Sequence, residues 1–280
     1  MKHILLLGSL LLLVVAGATG APLEPLPPRS SAGDPAVGGF DRWLGQHLCF
    51  NIDFLWFDSI AEGSLSFAAG PRPGTYRAVL EARTLGAAAW LTSDRVQRYV
   101  SVMERTTEGP LRALSHESQI IKGRGAKRKD RSKLYLFDHA RRQVSYQHGR
   151  NGVLGAAERL PMAEGTPPND ILTAFFNFQA GFFGPIVPGG RYRIPTFSRK
   201  GMTTIEAEVL LDPLRVRPDF FPAEGMLVKV LLDPEVFETA GGALYIWFDE
   251  GRLPARGIVE NVIGLGDVFG TLVESSRTKE

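Results

Sequence analysis

The chain has 280 residues, of which 44% are hydrophobic, 22% charged and 10% aromatic, with 31 Gly, 19 Pro and a single Cys. A disordered chain would be poorer in aromatics and a disulfide scaffold would need paired thiols, so both classes are excluded. The formal net charge is +2, which by itself names no partner.

Met1-Lys2-His3 is a short basic start, and Ile4 to Ala16 is an almost unbroken apolar run. Ala18 and Gly20 are small residues spaced for signal-peptidase cleavage after Gly20. Residues 1–20 therefore read as a signal peptide and the product as exported and periplasmic. An uncleaved anchor would need roughly 20 apolar residues. Nothing later in the chain is long and apolar enough either, so no transmembrane segment is expected after cleavage. Cys49 lies too far along to be the acylated first residue of a lipoprotein, and alone it closes no internal disulfide; such a thiol is expected as a small buried hydrophobe.

Residues 21–39 hold five Pro and three Gly, a composition that favours extended, solvated backbone and reads as a tether. A single β-rich domain over residues 40–274 and a polar tail over 275–280 follow. Phe40, Trp43 and Leu44 have helical spacing at its start. Leu48, Phe50, Ile52 and Phe54 then alternate with Cys49, Asn51 and Asp53, the pattern of a half-buried strand. Tyr76, Ala78, Leu80 and Ala82 repeat it, as do Ile205, Ala207, Val209 and Leu211. Val96, Tyr99, Val100 and Met103 have helical spacing but would also serve a strand. Leu134 to Phe137, Leu227 to Leu232, Leu244 to Phe248, Gly257 to Val262 and Val268 to Val273 read as further strands.

Between these runs, Lys122 to Lys133 holds seven basic residues and one acid, Asp130. Such a cluster attracts phosphates or anionic lipid head groups, and it equally suits a solvated loop between two strands. The helix expected over Asn169 to Ala180 has Pro167 and Pro168 before it, Asn169 as cap, Asp170 in the first turn, and Gly181 at its end. Leu55-Trp56-Phe57-Asp58, Tyr135-Leu136-Phe137-Asp138 and Ile246-Trp247-Phe248-Asp249 each end in an Asp suited to a turn, so Asp58, Asp138 and Asp249 are expected at hairpin corners.

One wet and one dry face per strand implies antiparallel pairing. The expected fold is all-β, a single curved antiparallel sheet forming a half-barrel or open barrel with one main helix against its concave side. Two sandwiched sheets are the alternative.

The landmarks LGQHLCFNIDFLWFDSIAEGSLSF (residues 44–67), KLYLFDHARRQVSY (133–146), PPNDILTAFFNF (167–178) and ALYIWFDEGRLPARGIVENVIGLGDVFGTL (243–272) resemble the exported bacterial family catalogued as domain of unknown function DUF3108. The resemblance implies an exported envelope protein with a β-rich fold and brings no established activity. It departs from the family's pattern at Asn177 and Gln179, where an Arg is expected near the helix end.

Chemistry is sparse. Ser115-His116-Glu117 has the residue types of a hydrolase triad, but strand neighbours point to opposite faces and cannot form that relay. His47, His116, His139 and His148 lack metal-ligand spacing; only His139 and His148 could meet, across a hairpin. Gly264, Gly266 and Gly270 sit in strand-like sequence rather than in a dinucleotide loop. No cofactor, metal or catalytic residue is expected.

The aromatic clusters remain. Trp56, Phe57, Phe175, Phe176, Phe178, Phe182 and Phe183 are the candidates for lining an apolar cavity, with the plugging of barrel ends as the competing role; Phe220 and Phe221 form a further pair. Arg124, Lys127, Arg128, Lys129 and Arg131 are the candidates for meeting an anionic head group or membrane. The expected protein is non-enzymatic and holds a lipid or acyl chain, with docking of another envelope protein through a sheet edge or aromatic patch as the alternative, and nucleic acid excluded as partner.

Overall fold

The computed structural model describes residues 39–54, 57–86, 89, 94–165, 167–231, 239–263 and 266–278. The proposed signal peptide and nearly all of the tether lie outside the described residues. A 3-10 turn, Gly39–Trp43, leads into fifteen strands among the described residues. These are β1 (Gln46–Phe54), β2 (Phe57–Ala69), β3 (Thr75–Thr84), β4 (Val96–Arg105), β5 (Leu111–Lys122), β6 (Lys129–Asp138), β7 (Gln143–Arg150), β8 (Val153–Leu154) and β9 (Glu158–Pro161). The helix α1 (Ile171–Gln179) follows, then β10 (Arg191–Ser198), β11 (Gly201–Val209), β12 (Met226–Leu231), β13 (Leu244–Phe248), β14 (Pro254–Val262) and β15 (Gly266–Arg277).

All fifteen strands belong to one sheet, whose order runs β10 to β15, then β1 to β8, with β9 beside β7. Every strand pairing is antiparallel, and β1 lying against β15 joins the two halves. The sheet is open, barrel-like and continuous, so the sandwich alternative is excluded. Register shifts at Cys49/Phe50, Val102/Met103 and Trp247/Phe248 each insert an irregularity of the kind that bends a strand and increases its twist.

The alternation expected along β1 and β3 lies in register with its neighbours: Phe67 faces Leu48's side through the Leu48↔Leu65 and Phe67↔Ala78 pairs, and Leu80 sits opposite Tyr99. Val96 to Met103 is strand, not helix. Its inward set, Gln97, Tyr99, Ser101 and Met103, mixes polar and apolar residues, and this hid the period of two. β10, absent from the expected strands, buries Tyr192 and Ile194 in alternation with the exposed Arg191 and Arg193.

Helix α1 begins two residues later than expected. Asp170, not Asn169, caps it, accepting from the amides of Leu172 at 2.9 Å and Thr173 at 3.1 Å. Asn169 instead extends the edge of β10: its amide donates to the Pro195 carbonyl and its carbonyl accepts from the Phe197 amide. α1 packs against β4, β5 and β10, inside the curve of the sheet.

Two of the three hairpin corners stand. The Asp138 carboxylate accepts from the Arg141 amide, and that of Asp249 from the Leu253 amide. Asp58 lies within β2 rather than at a corner, and near the β1–β2 connection the Asp53 carboxylate accepts from the Ser59 amide at 2.6 Å. The basic run is only partly a loop: Lys122 ends β5, residues 123–128 turn, and Lys129 to Lys133 are strand.

Cores lie on both sides of the sheet. Phe40 and Trp43 close one end of the concave side, Phe40 stacking on Phe182 and Trp43 meeting Phe176 edge-on. On the convex side, residues 210–225 fold over β12 to β14 and bury Phe221 against Leu227, Tyr245 and Ile258.

Candidate functional site: an apolar cavity with a polar end

The concave face of β1–β3 and β11–β15 does not collapse onto α1. A cavity of about 410 Å³ remains between them. Its walls follow from the period of two. Ile52, Gly270, Gly257 and Ile246 follow one another across β1, β15, β14 and β13 at one level. Two glycines side by side in that belt remove the side chains that would fill the space. A Cβ on Gly270 would find its nearest neighbour, the Gly257 carbonyl oxygen, at 4.0 Å. Val228, Val230, Leu244 and Phe248 complete the opposite wall.

The polar atoms gather at one end. Arg83 and Thr84 at the close of β3, and Arg95 and Gln97 at the opening of β4, border the cavity where these strands pair. Arg83 also pairs with Glu62, and Arg95 donates to the Gln97 amide oxygen at 3.0 Å. Arg83 and Thr84 border a second, polar depression together with Asp94 and Arg124, which form an ion pair. The sequence reading missed these four polar residues: nothing in an ordinary strand end marks it as the rim of a cavity.

The expected aromatic set divides. Phe175 and Phe178 of α1 line the cavity. Phe176, one position away, points into the closing core, with its ring centroid 4.4 Å from that of Phe67. Phe182 stacks on Phe40 in that same core, and Phe183 packs against the cluster around Tyr192 and Ile194. Trp56 and the side chain of Phe57 lie outside the described residues. Phe220 and Phe221 belong to the convex face, where Arg256 lies over the Phe220 ring. Of the basic set, Arg124 borders the polar depression, Lys127 and Arg128 are exposed in the turn, and Lys129 and Arg131 project from β6.

A second cluster joins α1 to β4 and β5. Ser101 donates to the Asp170 carboxylate at 2.5 Å and lies 2.9 Å from His116 Nδ1, and that nitrogen is 3.5 Å from the same carboxylate oxygen. Thr173 donates its hydroxyl to the other oxygen at 2.6 Å. Burial works against the Asp170 charge, but the hydrogen bonds and charge of His116, with the bonds from Ser101 and Thr173, hold its carboxyl below the ordinary carboxylate range. The three residue types of a hydrolase triad meet here, yet the geometry is not a relay. Ser101 and Asp170 address the same edge of the imidazole, and Ser101 is fully buried. The cluster fastens the helix start to the sheet.

His139 and His148 do not meet. His139 Nε2 lies 2.6 Å from the Ala113 carbonyl, and His148 sits opposite Lys133. Burial, opposed in part by the Ala113 bond, lowers the His139 pKa. Cys49 is half-buried rather than buried; desolvation and the carboxylates of Glu274 and Glu62 push its thiol up, away from reactive thiolate. Among the described residues no group of three or more His, Cys, Asp and Glu is placed to hold a metal.

The fold and site define a barrel-like, open antiparallel sheet enclosing an apolar cavity, and among the described residues no helix is long and apolar enough to cross a membrane. No family model matches the chain, and no curated protein matches it. Among solved structures it is similar to one described as a β-barrel-like protein of domain of unknown function DUF1849 from Brucella abortus. That similarity has 9% identity and a TM-score of 0.46, and covers 84% of this chain and 98% of that one. The resemblance to DUF3108 is therefore corrected: no family model matches, and a similar solved structure bears another family's description. The motifs behind it are hairpin corners and strand alternation, which any twisted antiparallel sheet needs.

Proposed function

We propose that this chain is an exported, non-enzymatic protein that holds a single acyl chain or similar apolar ligand in the cavity between α1 and the sheet. The observation that carries this is a space of about 410 Å³ walled by aliphatic and aromatic side chains, with Thr84, Arg95 and Gln97 at its border where the ends of β3 and β4 meet. That volume lies within the ~300–1,000 Å³ of small-molecule sites. The arrangement suits an amphiphile whose tail lies against Phe175, Phe178 and the Gly257–Gly270 belt while its polar head stays at the guanidinium end.

Burial of hydrocarbon drives such binding at ~0.8 kcal/mol per methylene. Association costs ~4 kcal/mol or more, so a tail of only a few carbons gains nothing. Affinity should therefore climb steeply with chain length, by roughly 15-fold per two carbons, until the cavity is full. Displacement of a fluorescent fatty-acid probe by a homologous series of saturated acids from eight to sixteen carbons tests this. A flat response across the series, or no probe binding at all, overturns the reading.

A further inference from the structure

The sheet follows a charge rule, and one corner breaks it. Where charged side chains stand directly opposite one another on neighbouring strands, they are of opposite sign: Lys229 faces Glu208, and five further pairs are Glu62 with Arg83, Glu81 with Arg98, Glu104 with Arg112, Glu208 with Arg191, and Glu206 with Arg193. Each of these five pairs also closes as an ion pair. At the ends of β5, β6 and β7 the sign is repeated instead. Lys122 stands opposite Lys129, and Arg131 stands opposite Arg150.

These four residues share one face. Residues two apart on a strand project to the same side, so Lys129 and Arg131 lie on the side of Lys133 and Tyr135, and register carries Lys122 and Arg150 onto it. All four are exposed, and none has an ion-pair partner among the described residues. The one acid placed on this face along β6, β7 and β9 is Glu158, opposite Tyr146. Like charges held face to face in a sheet are unfavourable, and nothing in the packing requires them. Such a cost is retained where a function uses it.

The same corner also exposes apolar side chains. Val153, directly opposite Arg150, is 72% exposed, and Leu154 beside it 43%. Bases interleaved with an exposed aliphatic tip are the two components of an interfacial membrane contact, the charges meeting head groups and the tip entering below them. A soluble polyanion would engage the bases and have no use for the tip. The corner also adjoins the polar end of the cavity, because Val96, next to Arg95, pairs with Ile121, next to Lys122.

We infer that the face formed by Lys122, Lys129, Arg131 and Arg150, with Val153 at its tip, is a docking surface for a bilayer containing anionic lipid. The inference goes beyond the cavity reading and does not depend on what the cavity holds.

The test is flotation of the full chain with vesicles of phosphatidylcholine alone and of phosphatidylcholine with 30% phosphatidylglycerol, the neutral vesicles reporting whatever the apolar residues 4–16 contribute. Preferential binding to the anionic vesicles, abolished by high salt, is expected. The double variant Lys129→Gln/Arg131→Gln should weaken that binding about 30-fold, equivalent to ~1 kcal/mol per base at an anionic surface. It should melt no lower than the parent, because one member of each like pair is gone. The converse variant Lys122→Gln/Arg150→Gln should behave alike and covers the case in which the first fails to fold. Val153→Ser should weaken vesicle binding while leaving heparin binding unchanged. Equal binding to both vesicle types, no loss in either double variant, or heparin binding with no vesicle preference would each overturn the inference. Because no cavity ligand is involved, failure here is separate from failure of the acyl-chain series.

Discussion

The hydroxyl of Ser101 on β4 donates to the carboxylate of Asp170 at 2.5 Å, joining residues 69 positions apart and fixing where α1 meets the sheet. Asp170 also caps the helix and takes the hydroxyl of Thr173, so one buried carboxylate satisfies four donors, counting the amides of Leu172 and Thr173. Replacing it by Ala would strip the cap and leave buried donors unpaired, a loss of about 3 kcal/mol or more. Asp170→Asn keeps an acceptor oxygen and should cost less. Urea unfolding of the two variants gives the order, and equal midpoints for parent and Asp170→Ala would refute the role.

The same carboxylate sets an acid limit. Its pKa in the fold lies below the ordinary value, so the folded state binds fewer protons than the unfolded state in that interval. The stabilisation is complete above the unfolded value near 3.9 and is lost as pH falls through the folded one. The parent should therefore lose stability below about pH 4 more steeply than Asp170→Asn, in which that titration is absent. Melting curves between pH 2 and pH 6 decide it.

If the cavity holds the ligand, filling it should abolish binding without harming the fold. Gly270 faces the cavity between Ile52 and Gly257, and its surroundings leave room for a side chain. Gly270→Leu relieves the ~0.5–1 kcal/mol penalty of glycine in a strand and places a branched side chain in the acyl path. The expected result is an unchanged or raised melting temperature with probe affinity reduced at least tenfold. A folded Gly270→Leu protein that binds the probe as tightly as the parent would argue against the site.

How much of this could be read beforehand depended on whether a strand's two faces differ in polarity. β1 and β3 were legible because Leu48, Phe50 and Ile52, or Ala78 and Leu80, face apolar space while their alternates face water. β4 was not, since its inward face passes from Gln97 to Met103 by way of Ser101, whose partners His116 and Asp170 come from other elements. Phe175, Phe176 and Phe178 stood out as a cluster, but only the path of α1 separates the two that line the cavity from the one that closes its end. The like-charge pairs could not be seen at all, because register is a relation between strands and composition carries none of it.

His139 offers a test at milder pH. Burial is the main cause of its lowered pKa, and the neutral ring donates Nε2–H to the Ala113 carbonyl. Between the lowered folded value and about 6.5 the unfolded chain binds the extra proton, so stability rises with pH through that window and declines on acidification. His139→Gln retains a donor and cannot titrate. The difference in unfolding midpoint between parent and variant should shift in favour of the variant as pH is taken from 7.5 to 5.5; a difference that stays constant would show that the imidazole does not report its burial.

Gln179 closes α1 with its side chain fully buried, and neither its amide oxygen nor its amide nitrogen meets a hydrogen-bond partner. Its backbone carbonyl does the useful work, accepting from the Arg42 guanidinium at 2.7 Å and tying the helix end to the N-terminal turn. A buried amide without partners costs ~1–3 kcal/mol. Methionine has nearly the same length and shape, removes both polar atoms and leaves the carbonyl in place. Gln179→Met should therefore stabilise the protein by about 1 kcal/mol, raising the urea midpoint without changing the slope of the transition. A lower midpoint would mean that the amide is satisfied in solution, and crystallography at a resolution that orders buried water would then show by what.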